Sequence, residues 1–253
     1  MSARAGADVG VVIVAAGQGT RIATDGVQGA TTSQKPGESV AAASTELKQF
    51  RWVAGKPMLL HSVQRFQARA DVAMVVCVLP RTVLGDPPPW IFQSDLDRLL
   101  FSVGGRERQE SVANGLEDLE DGIDIVVVHD AARPLVTDAT IDAVIAAARG
   151  GRGAVAALPV VDTLKEVDAE GRVLRTVDRA RLWRAQTPQA FPRPMLEEAH
   201  AEARRAGVTA TDDAALCERL GFPVVVVPGS ERAMKITVER DFARADALAA
   251  LAE

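Results

Sequence analysis

The chain has two cysteines, Cys77 and Cys217, far apart and each set among apolar residues. That excludes a disulfide framework and points to reduced, buried thiols in a cytoplasmic protein. There are three histidines, and they do not cluster, which argues against a histidine-based metal site. No apolar stretch is long enough for a membrane span, and residues 1–8 lack the charged-then-apolar form of a secretion signal. No basic run is present and the net charge is −5, so neither nucleic acid nor membrane is expected as a partner. A phosphorylated ligand would need its positive charge gathered locally.

Two further absences bear on the stretch Val9 to Arg21, which reads VGVVIVAAGQGTR. Its apolar, β-branched start has the pattern of a strand buried on both faces. It ends in Ala15, Ala16 and Gly17, small residues that let a phosphate approach backbone N–H groups. Gly17 and Gly19 fit two positions of the dinucleotide fingerprint, but Ile22 stands where its third glycine belongs. That disfavours an NAD-dependent oxidoreductase. Nor is there a G-x-x-x-x-G-K to make a P-loop. What the loop has is Arg21, a permanent cation with five donors, suited to polyphosphate.

The rest alternates strand and helix signals. Residues 22–45, rich in Gly, Ala, Ser, Thr and Gln without apolar periodicity, read as a flexible insertion. Gly55-Lys56-Pro57-Met58 opens an amphipathic helix to about Ala70. Apolar runs at Met74–Leu79, Ile125–Val128, Ala154–Val161 and Val224–Val227 read as strands, with a short helix expected around Ile91–Leu99. Helices are expected at Asp138–Arg149, Met195–Arg205, from Thr211-Asp212-Asp213 to Leu220, and from Glu239. A glycine turn, Gly104-Gly105, carries Arg106 and Arg108, which as a pair read best as a solvated charged face. The run ending His129-Asp130-Ala131-Ala132-Arg133 delivers a carboxylate and a guanidinium to a strand end, where α/β sheets bind ligands. His129 reads as a packed or hydrogen-bonded histidine. Residues 163–179 have the two-segment pattern of a hairpin across Asp168–Gly171, within an exposed β-arm over 162–185 that needs another chain to cover it. The alternation as a whole argues one α/β domain over 1–253, with a mostly parallel central sheet and helices on both faces.

Jointly, the stretches AAGQGTR, LKQF with GKPML, GGRERQES, VHDAARP, PVVDTLK, TVDRARLWRAQTPQAF, TDDA and KIT resemble the 2-C-methyl-D-erythritol 4-phosphate cytidylyltransferase family. The resemblance runs from Val11 to Thr237. It implies a Rossmann-like nucleotidyltransferase domain, a β-hairpin dimerisation arm, a homodimer, and Mg²⁺ or another divalent cation assisting transfer of CMP from CTP to a polyol phosphate. It also implies that Arg21, Lys48, Lys235 and Arg179 are catalytic, and that Ala15, Ala16, Gly17, Gly105, Ser111, Asp130 and Ala131 hold the nucleotide. Asp130 would also hold the metal. The polyol phosphate would meet Arg133, Thr163 and Thr211, with Arg179 and Thr187 supplied by the partner subunit. Thr163 and Thr211 have a plainer reading as strand and N-cap threonines. Lys35, in Gln34-Lys35-Pro36, rivals Lys48 as the active lysine because residues 22–47 separate the loop arginine from Lys48. Lys48 is preferred because Gln49-Phe50 and the GKPML helix follow it directly. Ribitol-5-phosphate cytidylyltransferase is the nearest alternative, and a non-catalytic nucleotide-binding module a remoter one.

Overall fold

The computed structural model describes residues 6–17 and 47–251; the insertion 22–45, Arg21 and Lys35 lie outside the described residues. In chain order the elements are β1 (Val9–Val14), β2 (Trp52–Val53), β3 (Lys56–Pro57), α1 (Met58–Gln67), β4 (Val72–Leu79), α2 (Arg81–Leu84), β5 (Leu99–Val103), α3 (Arg108–Glu117) and β6 (Ile125–Asp130). They continue with α4 (Asp138–Arg149), β7 (Gly153–Pro159), β8 (Leu164–Val167), β9 (Val173–Val177), β10 (Trp183–Pro192), α5 (Arg193–Ala206), α6 (Asp213–Arg219), β11 (Val224–Pro228) and α7 (Arg240–Ala249).

Seven strands form one sheet in the order β11-β7-β10-β6-β1-β4-β5. Every pairing is parallel except those of β10, which runs antiparallel to β6 and β7. The mostly parallel sheet follows from the continuous apolar runs, since strands covered on both faces cannot alternate with polar residues. Val11 and Ile13 of β1 face a core filled by α1 and α4 through Leu59, Phe66, Ile141 and Val144. Val12 faces the other core, filled by α3, α5 and α6 through Val112, Leu116, Leu196 and Cys217. Both cysteines are buried and free, as expected.

The chain leaves β1 toward β4 and β5 on one side, then returns to place β6 on the other side of β1. A crevice opens at such a reversal, outside the carboxyl ends of β1 and β6. Val14 and Asp130 are register partners there, so the glycine loop and the acidic strand end emerge side by side.

Some boundaries differ from the sequence reading. β4 begins at Val72, α1 stops at Gln67, and residues 91–99 form no α-helix. Two 3-10 turns, Pro89–Gln93 and Leu96–Arg98, stand there instead. Long-range bonds account for this. The Gln67 side chain donates to the Asp95 carbonyl at 2.7 Å and accepts from the Asp95 N–H at 3.0 Å. Arg98 donates to the carbonyls of Gln67 and Val72. These tie residues 95–98 to the end of α1, and a continuing helix would break them.

The hairpin forms as expected: β8 and β9 pair as a separate two-stranded sheet, exposing Val167, Val173 and Leu174. Its base closes where the Val160 N–H bonds the Leu182 carbonyl at 3.0 Å, and Trp183 to Ala185 already pair with β7. Residues 183–185 therefore belong to the central sheet and not to the arm.

A third apolar cluster joins Val53, Met58, Leu135, Ile236, Phe242 and Ala245. Arg51 reinforces it, forking onto Glu239 at 2.5 and 2.7 Å with its guanidinium 3.9 Å above the Phe242 ring centroid. The segment carrying Lys48 and the turn carrying Lys235 are thus held to one another through α7.

Candidate active site

The crevice at the switch point is a cavity of about 320 Å³. Its lining includes Ala15, Ala16 and Gly17 from the first loop, Lys48, Gly105 and Ser111, Asp130 and Ala131, and Lys235. The structure therefore brings together nine of the sequence-predicted residues, drawn from segments scattered over the chain. Lys48 stands in a short 3-10 turn, with Phe50 beneath it packed edge-on against Trp90 at 5.4 Å. Four cations (Lys48, Arg106, Arg108, Lys235) and two anions (Glu107, Asp130) line the cavity among the described residues. An acidic protein has thus concentrated positive charge in one place.

Close approach explains the glycine turn. A Cβ on Gly104 would stand 2.2 Å from the Ala16 Cβ, and one on Gly105 would stand 2.3 Å from the Glu110 Cβ. Only bare backbone lets the second loop nest against the first and against α3. The Ser111 hydroxyl accepts from the Gly105 N–H and donates to the Glu107 carbonyl, both at 3.1 Å. Glu110 accepts from the Arg106 N–H at 2.7 Å. Ser111 lines the cavity and also fixes the loop's shape.

Asp130 is the electrostatic centre. Its Oδ1 lies 3.1 Å from Arg108 Nε and its Oδ2 2.7 Å from Lys235 Nζ. Burial alone would favour the neutral acid, but Arg108 and Lys235 outweigh it and hold the carboxyl well below the usual range. Arg108 is not the solvated residue the sequence suggested. It reaches past Asp130 to the buried Asp213 at 2.7 Å. Burial opposes its charge, and the two carboxylates more than restore it.

Thr187 is placed differently from the expectation of a partner-supplied contact. It is buried in β10, where its hydroxyl accepts from the Asp130 N–H at 2.9 Å and lies 3.3 Å from His129 Nδ1. That hydroxyl is committed inside its own subunit. β10 bulges here, between Ala185 and Gln189, and the bulge staples three segments. Gln186 bonds the backbone of Ser230 in both directions, at 3.0 and 3.2 Å. Gln189 donates to Asp212 at 2.8 Å and accepts from the Ala214 N–H at 3.1 Å. Thus the Gln-Thr-Pro-Gln stretch fixes Asp130, the turn leading to Lys235, and the start of α6.

The remaining predicted residues among those described lie outside the cavity lining. The mostly buried Arg133 donates to the Ala233 carbonyl at 2.7 Å, supporting the Lys235 turn. Arg179 and Thr163 meet each other on the exposed arm at 3.4 Å. Thr211 is exposed and is not the N-cap; Asp212 takes that position, accepting from the Ala215 N–H. Arg108 lines the cavity too, a placement the sequence reading missed.

His129 is packed as expected, fully buried with Nε2 3.1 Å from the Arg133 carbonyl and its ring against Phe66. Burial holds it neutral down to about 4, against 6.5 for the free side chain. Between those values the unfolded chain takes up the proton first and is favoured. His129 therefore leaves stability intact above about 6.5 and erodes it as pH falls toward 4, by up to about 3 kcal/mol. Denaturant titrations at pH 7 and pH 5 should show that loss, and His129→Gln, which cannot take the proton, should shrink it. An equal loss in both proteins would refute the assignment.

Asp130 bears on a metal as well. Among the described residues no cluster of three His, Cys, Asp or Glu side chains encloses a cation site. Asp130 beside its cations suits Mg²⁺ brought in by a triphosphate, because Mg²⁺ keeps several waters and needs only one or two carboxylates besides phosphate oxygens.

A family model described as 2-C-methyl-D-erythritol 4-phosphate cytidylyltransferase matches residues 36–250. The chain is 42% identical over 207 residues to the protein of that name from Syntrophus aciditrophicus, covering 81% of this chain and 88% of the relative. It is 42% identical over 255 residues to the one from Streptomyces avermitilis, covering 97% and 93%. The crystal structure of the Thermus thermophilus protein of that name superposes with a TM-score of 0.73 at 35% identity, covering 96% of this chain and all of that one.

Proposed function

Because the chain belongs to the 2-C-methyl-D-erythritol 4-phosphate cytidylyltransferase family, we infer that its switch-point cavity performs that family's reaction. The enzyme transfers CMP from CTP to 2-C-methyl-D-erythritol 4-phosphate in isoprenoid precursor synthesis. A substrate phosphate oxygen attacks the α-phosphorus of CTP, a new P–O bond forms, and the bond to pyrophosphate breaks. All the partners are anionic and no protein nucleophile is required, so the protein's part is positioning and fixed positive charge. The convergence of Lys48, Lys235 and Asp130 on one cavity carries this reading.

Each segment then has a task. Ala15–Gly17 and the Gly104–Ser111 turn form the bare-backbone cradle for cytidine, and Ala131 continues that wall beside Asp130. Lys48 and Arg21 stabilise the triphosphate as charge builds on the transferred group's oxygens. Lys235 rests on Asp130 and moves from it to the phosphates when CTP enters. Asp130 would hold Mg²⁺, which when bound screens the phosphate oxygens and polarises the α-phosphorus. Arg133, Thr163 and Thr211 meet the sugar phosphate, and Arg179 reaches a neighbouring subunit's site. The exposed apolar arm supports a homodimer in which that hairpin is covered. The free, buried cysteines support a cytoplasmic location, and no helix among the described residues is long and apolar enough to cross a membrane.

The test is a mass-spectrometric assay of CTP with each polyol phosphate. Turnover with 2-C-methyl-D-erythritol 4-phosphate is expected; turnover with ribitol 5-phosphate alone would overturn the substrate.

A further inference from the structure

From Asp130 a chain of hydrogen-bonded side chains runs through Arg108, at the cavity wall, to Asp213 and His200, which lie outside the lining. Arg108 Nε meets Asp130 Oδ1 at 3.1 Å, Arg108 Nη1 meets Asp213 Oδ2 at 2.7 Å, and Asp213 Oδ1 meets His200 Nε2 at 3.0 Å. The four side chains come from α3, β6, α6 and α5, so the chain ties three helices to the carboxylate at the end of β6. Asp213 and His200 are 1% and 4% exposed, and Arg108 Nη2 is buried with no partner among the described residues. As a stabilising device this is poor. Buried ion pairs rarely outdo apolar packing, and an unpartnered guanidinium nitrogen makes the comparison worse. What such an arrangement supplies is geometry.

We propose that Arg108, held from behind by Asp213 and His200, is a positioning residue that sets the orientation of Asp130 for cytidylyl transfer. The need arises in the resting pair. When Lys235 leaves Asp130 for the triphosphate, Oδ2 loses its partner, and the carboxylate would be free to turn. Arg108 stays, because Asp213 holds its other edge. Only an arginine serves here, since its planar fork spans two carboxylates at fixed spacing, whereas a lysine ammonium is a single point of charge on a flexible stem. The Thr187 hydroxyl fixes the Asp130 backbone from the opposite side, so backbone and side chain are both constrained.

This proposal rests on the cytidylyltransferase reading, and the unaltered enzyme must first turn over in the same assay; failure there indicts the reaction and not the positioning. Arg108→Lys is then compared with Asp213→Asn and with the double variant, measuring kcat, the KM for CTP and the melting temperature. The expected result for Arg108→Lys, assayed at a temperature where the protein stays folded, is a kcat lowered at least about tenfold, a KM for CTP within about threefold of the original, and a lower melting temperature, because a lysine leaves one of the two buried carboxylates without its partner. Asp213→Asn should lower kcat in the same sense. The double variant should be no worse than Arg108→Lys alone, because both act through one contact chain. Unchanged kcat in Arg108→Lys would overturn the proposal. So would a loss matched by a lower folded fraction, or losses that multiply in the double variant. Should Asp213→Asn fail to fold, Arg108→Lys alone still decides through its kcat.

Discussion

Lys48→Ala should lower turnover at least about a hundredfold while leaving the protein folded. The magnitude is that of removing one preorganised donor from a site that stabilises developing negative charge. Lys48 rides on a single 3-10 turn whose packing comes from its neighbours, Gln49 and Phe50, both buried, so truncating its side chain leaves the apolar support in place. Its loss should therefore appear in kcat, measured by pyrophosphate release at saturating substrates, with the melting temperature almost unchanged. Lys35→Ala should stay within about threefold of the parent. If the large effect moved to Lys35 instead, the active lysine would have been wrongly chosen, although the cavity would stand.

Asp130→Asn combines two effects. Removing the carboxylate leaves Arg108 and Lys235 facing a neutral amide, and breaking a buried pair by deleting one partner costs about 3–5 kcal/mol. For a chain of this length that corresponds to a fall in melting temperature of roughly 6–10 °C. Turnover should fall at least about a hundredfold as well, since the group proposed to hold Mg²⁺ and park Lys235 is gone. Calorimetry of CTP binding below the new melting temperature separates the two losses. A variant with unchanged stability and normal turnover would remove Asp130 from the centre of the site.

The strands were legible because a buried parallel strand has no alternation to disguise it. Val11–Val14 and Ile125–Val128 stand out as uninterrupted apolar runs, and each lies within an observed strand. The glycine loops were legible because close approach leaves its mark as missing side chains. Arg108 was not legible. Its partners Asp130 and Asp213 lie 22 and 105 positions away, and nothing local to Arg106–Arg108 distinguishes a buried guanidinium from a solvated one. The contacts of Thr187 within its own chain were not legible for a related reason. Its motif points to the site, but whether a threonine there touches ligand or backbone depends on which way the β10 bulge turns it. The missing helix at 91–99 failed through Gln67, whose side chain captures Asp95 from a distance that local periodicity does not register.

The sheet order also sets a timetable. β6 is buried along its whole length, with β1 on one edge and β10 on the other, yet β10 begins at Trp183, some fifty residues further along the chain. At ribosomal speeds of about 5–20 residues per second, that edge stays open for roughly 3–10 s during synthesis. For those seconds the nascent polypeptide presents Ile125–Val128 as an unpaired template for other chains. Aggregation during expression should thus compete most strongly before β10 closes the gap, and slower translation upstream of Trp183 should worsen it.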